Sequence, residues 1–227
     1  MSVGVYEAVP FDTVDQSLPI EQLLKIPRVP AYVGSIAVED REAFSTFFLP
    51  TRKEGKKHHF FAVDYTVDAK GQLVECTRED KYSLYDDVPE FMGKILLAQA
   101  RHCAEKRNIS EDFVISTYTE VKGWSKGSIY AAREQPHFDA GEDIYIISDN
   151  PTVFYADSFD MTDEQYHDKN NEAMQVLREQ ASIERSMQPD PYDIVSFDYT
   201  LPHASPDHSS KAVRTLSRTG INIIRRS

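Results

Sequence analysis

The amino-acid sequence predicts a mainly β protein with flanking helices, in the α+β class. Short runs rich in β-branched and aromatic residues recur along the chain, turn residues separate them, and only two segments have a long helical period. With 227 residues, of which 41% are hydrophobic and 27% charged, the chain can bury a substantial core. We therefore predict a single domain spanning residues 1–227.

The first part of the chain, residues 1–112, is predicted to supply flanking strands and one helix. Residues 60–67 combine aromatic and β-branched side chains and end near a glycine turn, so they should form a strand. Residues 88–107 place apolar side chains at three- and four-residue steps, and Pro89 suits the first turn of a helix. This helix is expected to pack on a sheet. The basic run at residues 52–59 is predicted to be a solvated loop.

The second part, residues 113–227, is predicted to form the β core with one inserted helix. Thr162 and Gln165 have the spacing of a capping box and predict a helix over about residues 163–187, which ends before two prolines. Strand-like runs occupy residues 113–121, 128–132, 144–147, 152–156, 192–197 and 220–224.

Composition and charge argue against several classes of function. The net charge of −12 and the pI near 5.0 repel a phosphate backbone, so binding to nucleic acid is not expected. No run approaches the roughly 20 apolar residues that span a bilayer, and the first residues do not resemble a secretory signal, so a cytoplasmic protein is predicted. Two cysteines, Cys76 and Cys103, cannot supply a disulfide framework or a zinc cage.

Two histidines and an aspartate form the pattern that points to chemistry. His137 and Asp139 are two residues apart, so on a strand they share a face if Phe138 packs on the opposite side. His203 lies where a strand gives way to a proline-bounded loop, and it can complete a site with two imidazoles and one carboxylate. That donor set is typical of non-haem Fe(II). His208 remains an alternative third ligand.

Two arginines that follow the second histidine complete a familiar order of motifs. Arg214 and Arg218 come 11 and 15 positions after His203. With the His-X-Asp pair, they make residues 113–225 resemble the Fe(II)/2-oxoglutarate-dependent dioxygenases, which are built on a double-stranded β-helix, or jelly roll. The spacing of the arginine pair is similar to that of the taurine dioxygenase branch.

The resemblance implies roles for these residues. His137, Asp139 and His203 would bind Fe(II). Arg214 would bind the distal carboxylate of the co-substrate 2-oxoglutarate, while Arg218 would bind either the co-substrate or an anionic group of the substrate. The two arginines could exchange roles.

The resemblance also implies a reaction. Such an enzyme uses O2, releases succinate and CO2, and hydroxylates an unactivated C–H bond, and ascorbate can support its activity. The short gap between the ligand pair and His203 is similar to the compact enzymes that hydroxylate or halogenate free amino acids. In the halogenating members a small residue replaces the carboxylate ligand, so Asp139 favours hydroxylation.

A free amino acid or a derivative is therefore the expected substrate. Arg218 would bind its carboxylate, Glu120 or Glu134 its ammonium group, and Trp124 would line the pocket. Several alternatives stay open: a cupin-type metal enzyme that does not use 2-oxoglutarate, a dioxygenase acting on a protein or nucleobase, and a non-catalytic binding module. The oligomeric state is also open, with a homodimer as one option.

Overall fold

The computed structural model describes residues 8–48, 56–76, 85–125, 135–167, 172–206 and 213–226. Its strands are β1 (Val9–Pro10), β2 (Arg28–Val29), β3 (Ala31–Ser35), β4 (Lys56–Val67), β5 (Leu73–Cys76), β6 (Phe113–Ser125), β7 (Ile144–Ser148), β8 (Val153–Tyr155), β9 (Ser186–Met187), β10 (Asp193–Phe197), β11 (His203–Ala204) and β12 (Val213–Arg225). Its helices are α1 (Ile20–Leu23), α2 (Val38–Phe47), α3 (Glu90–Arg107), α4 (Asp163–His167) and α5 (Glu172–Gln180). Among the described residues, no helix is both long enough and apolar enough to cross a membrane.

Two sheets of unequal size make up most of the architecture. Within the described residues, the large sheet has seven strands in the order β3-β10-β7-β12-β6-β4-β5, and all its pairs are antiparallel. The small sheet has the order β11-β8-β9. The chain moves repeatedly between the two sheets, as in a double-stranded β-helix. The predicted fold class, mainly β with flanking helices, is confirmed.

The last strand, β12, lies in the middle of the large sheet. It pairs with β6 along its whole length, from Val213↔Ser125 to Arg225↔Phe113, and with β7 on its other side. The sequence predicted only residues 220–224 of this strand. Because β12 continues back to Val213, Arg214 and Arg218 lie on the same strand. Arg218 pairs with Glu120 on β6 and with Ile146 on β7, and Arg214 pairs with Trp124 on β6. Strands β3 and β4, from the predicted flanking part, extend the same sheet.

The two faces of the large sheet have different partners. One face packs on α2 and α3 and contributes Phe61, Tyr145 and Ile147 to the largest apolar cluster. The other face is turned toward the small sheet and contributes Ile144 and Ile146 to a second cluster. We call these the helix face and the inner face. Since side chains alternate along a strand, every strand of the sheet supplies residues to both.

Helix α3 closely matches the prediction for residues 88–107. It begins at Glu90, after Pro89 as N-cap, and it ends at Arg107, followed by Asn108 in the left-handed conformation with φ 50°. Asparagine tolerates this conformation better than most residues, which favours termination of the helix here. Its buried side reaches the helix face through residues such as Leu96 and Cys103.

The inserted helix differs from its prediction. The capping box is present, since the Thr162 backbone N–H donates to Gln165 Oε1 at 3.0 Å and the Gln165 N–H donates to Thr162 Oγ1 at 3.2 Å. However, α4 ends at His167, and α5 ends at Gln180 instead of continuing to residue 187. A short 3-10 turn follows, and β9 then pairs with β8. Strand pairing, which the local sequence does not reveal, ends the helical segment early.

One further prediction is wrong in part, and another concerns residues that the structure does not describe. The basic run at residues 52–59 was predicted to be a loop, but residues 56–59 are the beginning of β4 and pair with β6. Pairing with a neighbouring strand overrides the local preference of charged residues for a loop. The predicted strand at residues 128–132 lies outside the described residues.

Candidate metal centre

Three side chains converge at the edge of the small sheet. His137, Asp139 and His203 each offer one ligand atom, and these atoms lie within 4.8 Å of one another. His203 Nε2 lies 3.4 Å from Asp139 Oδ2, and the two imidazole centroids are 4.5 Å apart. His203 is buried, while the other two are half-buried. Within the described ranges, this is the one group of three such residues that could hold a metal ion.

Backbone hydrogen bonds bring the two histidines together. The His137 N–H donates to the His203 carbonyl at 2.9 Å, and the His203 N–H donates to the His137 carbonyl at 3.0 Å. This reciprocal pair places the end of one chain segment beside β11, although 66 positions separate the histidines in sequence. The third ligand, Asp139, lies two residues further along the same segment.

Each imidazole is also oriented by a carbonyl close to it in sequence. His137 Nδ1 lies 3.0 Å from the Gln135 carbonyl oxygen, and His203 Nδ1 lies 3.1 Å from the Leu201 carbonyl oxygen. A carbonyl only accepts hydrogen bonds, so Nδ1 carries the proton and Nε2 keeps its lone pair. Both rings are therefore held in the tautomer that a metal ion requires at Nε2.

Phe138 packs on the side away from the ligands, as predicted. Its ring contacts Tyr166 at 5.0 Å between centroids, in the apolar cluster formed with α4 and α5. The segment is a strand only in part, because His137 forms an isolated bridge and Asp139 lies in irregular backbone. The packing of Phe138 keeps both neighbouring side chains on the ligand side without a regular strand.

The carboxylate ligand is held by Arg218. The Arg218 Nε donates to Asp139 Oδ2 at 2.7 Å, and Nη2 donates to the Ala140 carbonyl at 3.1 Å. Burial by itself would raise the pKa of Asp139. The interactions with His203, Arg218 and His137 together outweigh burial and hold this pKa well below its usual range. Asp139 is therefore ionised at neutral pH.

Arg214 occupies a different environment on the same strand. It is 1% exposed, and burial lowers the pKa of its guanidinium, with the charge of Asp149 acting in the opposite direction. Its Nε donates to the Asn150 carbonyl at 2.7 Å, and Nη2 donates to Thr152 Oγ1 at 3.0 Å. The hydroxyls of Ser148 and Ser205 also contact it, at 3.2 and 3.3 Å. A buried arginine among hydroxyl groups is suited to binding a carboxylate.

The two arginines share the inner face and are separated by Leu216. Four residues of antiparallel strand span about 13 Å. Arg214 nevertheless lies near the ligand cluster, because its Nη1 is 3.3 Å from the hydroxyl of Ser205, two residues after His203. Arg218, which was predicted to bind the co-substrate or the substrate, contacts Asp139 and Ala140 in this structure.

The remaining predicted residues have different positions. Glu120 lies on the inner face of β6, where it pairs with Lys122 and with His58, whose Nδ1 is 3.2 Å from Glu120 Oε1. Trp124 lies on the same strand, in register with Arg214. Glu134 and His208, the alternative third ligand, lie outside the described residues.

Lys122 and His58, which contact the predicted site residue Glu120, were not identified from the sequence. The predicted strand stopped at residue 121, and residues 56–59 were assigned to a loop. A usable signal was present in the alternation of Glu120, Lys122 and Trp124, which places these residues on one face of a longer strand. Their neighbours across the sheet, however, depend on strand register.

The donor set fits divalent iron. Two neutral imidazole nitrogens and one carboxylate on one side of a site form the facial triad of non-haem Fe(II) enzymes, which leaves other positions for a co-substrate. Both histidines have the outer hydrogen bond that metal-bound imidazoles need, and the carboxylate has an arginine partner.

Comparisons with known proteins add only distant likenesses. No protein-family model and no curated protein matches the chain. Among solved structures, it is similar to IDO from Bacillus thuringiensis, with 10% identity, a TM-score of 0.43, and coverage of 83% of this chain and 85% of the other. It is also similar to the Fe(II)/α-ketoglutarate-dependent dioxygenase TqaL, with 11% identity, a TM-score of 0.44, and coverage of 83% and 75%. At TM-scores below 0.5, such likeness assigns neither a family nor an activity to this chain.

Proposed function

We propose that this protein is an Fe(II)- and 2-oxoglutarate-dependent oxygenase that hydroxylates an unactivated C–H bond of a small molecule. The observation that carries the proposal is the convergence of His137, Asp139 and His203 with both Nδ1 atoms already bound to carbonyls. Two imidazoles and one carboxylate whose ligand atoms lie within 4.8 Å of one another are the donor set of a non-haem iron site.

Arg214 supports 2-oxoglutarate as the co-substrate. Its guanidinium is buried on the inner face, and burial strengthens its attraction for a carboxylate. The hydroxyls of Ser148, Thr152 and Ser205 can reorient to donate to a bound anion. We assign the distal carboxylate of 2-oxoglutarate to this group.

The chain's own contribution is to bind and orient. When bound, Fe(II) supplies oxygen activation coupled to the conversion of 2-oxoglutarate into succinate and CO2. Asp139 occupies the ligand position that a halide would need, so hydroxylation is the proposed outcome. The apolar cluster beside His203, which includes Phe154 and Phe197, limits access of water on that side.

A free amino acid or a close derivative is the proposed substrate. Support comes from the compact insertion between the ligand pair and His203 and from the opposite charges on the inner face of β6. We also propose that the enzyme acts in the cytoplasm.

An anaerobic titration tests the co-substrate assignment. Fe(II) is added to the purified protein, 2-oxoglutarate follows, and a weak visible charge-transfer band is expected only when both are present. Arg214→Met should require much more 2-oxoglutarate to give the same band. Bound iron without any band would instead favour a cupin-type metal enzyme, and absence of iron binding would favour a non-catalytic module.

A turnover assay tests the reaction. The protein is incubated with Fe(II), 2-oxoglutarate, ascorbate, air and a pool of free amino acids, and the mixture is analysed by mass spectrometry. We expect succinate together with a product that has gained 16 mass units. If no pool component stimulates succinate formation, the amino-acid assignment is wrong even if the co-substrate band is present.

A further inference from the structure

We propose that Glu120 and Lys122 bind the ammonium and carboxylate groups of a free α-amino acid with an apolar side chain, while Arg218 serves to hold Asp139. This inference rests on the proposed function and gives it a substrate subsite. It reassigns the carboxylate partner from Arg218, which sequence reasoning favoured, to Lys122, which that reasoning did not consider.

The position of the pair follows from strand register. Glu120 pairs directly with Arg218 across β6 and β12, and Lys122 pairs with Leu216. Directly paired residues share a face of the sheet and have Cα atoms about 4.5–5.5 Å apart. Glu120 therefore lies one strand away from the arginine that holds Asp139, on the same inner face.

The environment of the pair differs from that of ordinary surface charges. The side chains of Glu120 and Lys122 are 24% and 30% exposed. In the Lys25–Asp160 pair, by comparison, the side chains are 57% and 86% exposed. A ligand can reach groups with intermediate exposure, and partial shielding from water strengthens the ion pairs that they form. His58 adds a third polar group, with Nδ1 3.2 Å from Glu120 Oε1.

The pairing of opposite charges selects a zwitterion. Lys122 Nζ contacts Glu120 Oε2 directly. An α-amino acid carries both charges close together, so it can insert between the two groups and replace one ion pair by two. A ligand with a single positive charge would leave Lys122 without Glu120, and one with a single negative charge would leave Glu120 with His58 alone, so neither replaces the ion pair as fully as a zwitterion does.

A neighbouring aromatic ring indicates the kind of side chain. Phe60, on β4, pairs directly with Glu120 and is 43% exposed, although it lies in the middle of a strand. Its ring contacts His58, with centroids 6.1 Å apart. An exposed phenylalanine beside a charged pair offers apolar contact next to polar anchors, as small-molecule sites commonly do.

Arg218 is less suited to the substrate carboxylate. Its guanidinium already donates to Asp139 and to the Ala140 carbonyl. Turning it toward a substrate would remove the hydrogen-bond partner of the half-buried Asp139 carboxylate. Lys122 can be released from Glu120 without that cost, because the substrate's ammonium group replaces it.

The test measures how five amino acids change the visible charge-transfer band of the protein with Fe(II) and 2-oxoglutarate under anaerobic conditions. The five are L-valine, L-leucine, L-isoleucine, L-methionine and L-phenylalanine. The tightest binder is then compared with its N-acetyl form, which lacks the ammonium group, and its methyl ester, which lacks the carboxylate. The variants are Lys122→Met and Glu120→Gln, with Lys94→Met as a matched control that removes a lysine ion pair elsewhere. The change in the band on adding a ligand is divided by the intensity of the same variant's band before the ligand is added.

We expect Lys122→Met to weaken binding of the free amino acid about tenfold or more and not to weaken binding of the methyl ester, which no longer leaves Lys122 without a partner. Glu120→Gln should weaken binding of the free amino acid and not that of the N-acetyl form, while Lys94→Met should match the wild type. Equal losses for free and blocked ligands would overturn the inference.

Measurements on the wild-type protein distinguish a failure of this inference from a failure of the proposed function. A normal band that responds to none of the five amino acids overturns the zwitterion subsite alone. Absence of the band overturns the proposed function and this inference with it.

Discussion

The two faces of the large sheet come from the same strands but perform different tasks. On the helix face, Phe61, Tyr145 and Ile147 pack against α2 and α3. On the inner face, β6 and β12 carry charged residues that alternate with helix-face residues such as Val121 and Ile221, namely Glu120, Lys122, Arg214 and Arg218. Alternation along a strand therefore separates a stabilising surface from a chemical one within a few residues.

The partners of polar side chains also differ between the two faces. On the helix face, Thr119 and Thr219 hydrogen-bond to each other at 2.9 Å, so two buried hydroxyls are satisfied within the core. On the inner face, Arg218 instead contacts the segment that carries Asp139, and Glu120 contacts partly exposed cations. The hydroxyl pair of the helix face stabilises the fold. On the inner face, the Arg218 side chain instead holds Asp139.

Loss of a metal ligand should give the largest effect. Asp139→Ala removes one of three ligands and leaves Arg218 without its carboxylate, so iron affinity should fall by more than the roughly 100-fold that loss of an outer partner costs. Metal analysis after gel filtration measures this. Asp160→Ala, which removes the exposed partner of Lys25, is the control and should retain iron. Full iron content in Asp139→Ala would refute the site.

Replacing the buried arginine should affect the co-substrate but not iron. Arg214→Met is expected to raise the Kd of 2-oxoglutarate about 10- to 150-fold, because hydrogen bonds to a charged group contribute about 1.5–3 kcal/mol. Arg214→Lys should rescue little, since lysine lacks the planar fork of donors. Anaerobic titration of iron-loaded protein measures both variants. An unchanged Kd would show that the co-substrate carboxylate binds elsewhere.

Removing the outer partner of Asp139 should give an intermediate effect on iron. Arg218→Gln is expected to weaken iron binding about 10- to 100-fold, because the carboxylate loses its hydrogen-bonded cation. Calorimetry with Co(II) as an air-stable probe measures this directly. If Arg218→Gln binds Co(II) normally but loses affinity for the amino acid, Arg218 is the substrate's partner after all.

Replacing a buried glutamine on α3, the helix that packs on the helix face, should alter the free energy of unfolding and leave iron binding unchanged. Gln99 on α3 is fully buried, and neither atom of its amide has a hydrogen-bond partner among the described residues. Gln99→Leu is therefore expected to raise the free energy of unfolding by about 1–3 kcal/mol. Urea denaturation measures the change. Gln175→Leu, at an exposed position of α5, is the control and is expected to lie within about 0.5 kcal/mol of wild type. A destabilised Gln99→Leu would indicate that bound water satisfies this amide.

Much of the site could be predicted from the sequence because its signals are local. The spacing of His137 and Asp139, the outward packing of Phe138 and the capping box at Thr162 each depend on neighbours a few residues away. The mainly β class followed from similar local patterns. Arg214 and Arg218 became candidates through the resemblance of their spacing to the taurine dioxygenase branch, and not through a local signal.

Tertiary structure decided how those candidates divide their roles. Register between β6 and β12 places Glu120 opposite Arg218, and the approach of the His137 segment to β11 places Asp139 within reach of that arginine. Burial among the residues that follow β7 distinguishes Arg214 from Arg218, although both lie on one face of one strand. The hydrogen bonds of Arg214 to Thr152 and of Arg218 to Asp139 join residues 62 and 79 positions apart, and local propensity carries no information about partners at that distance.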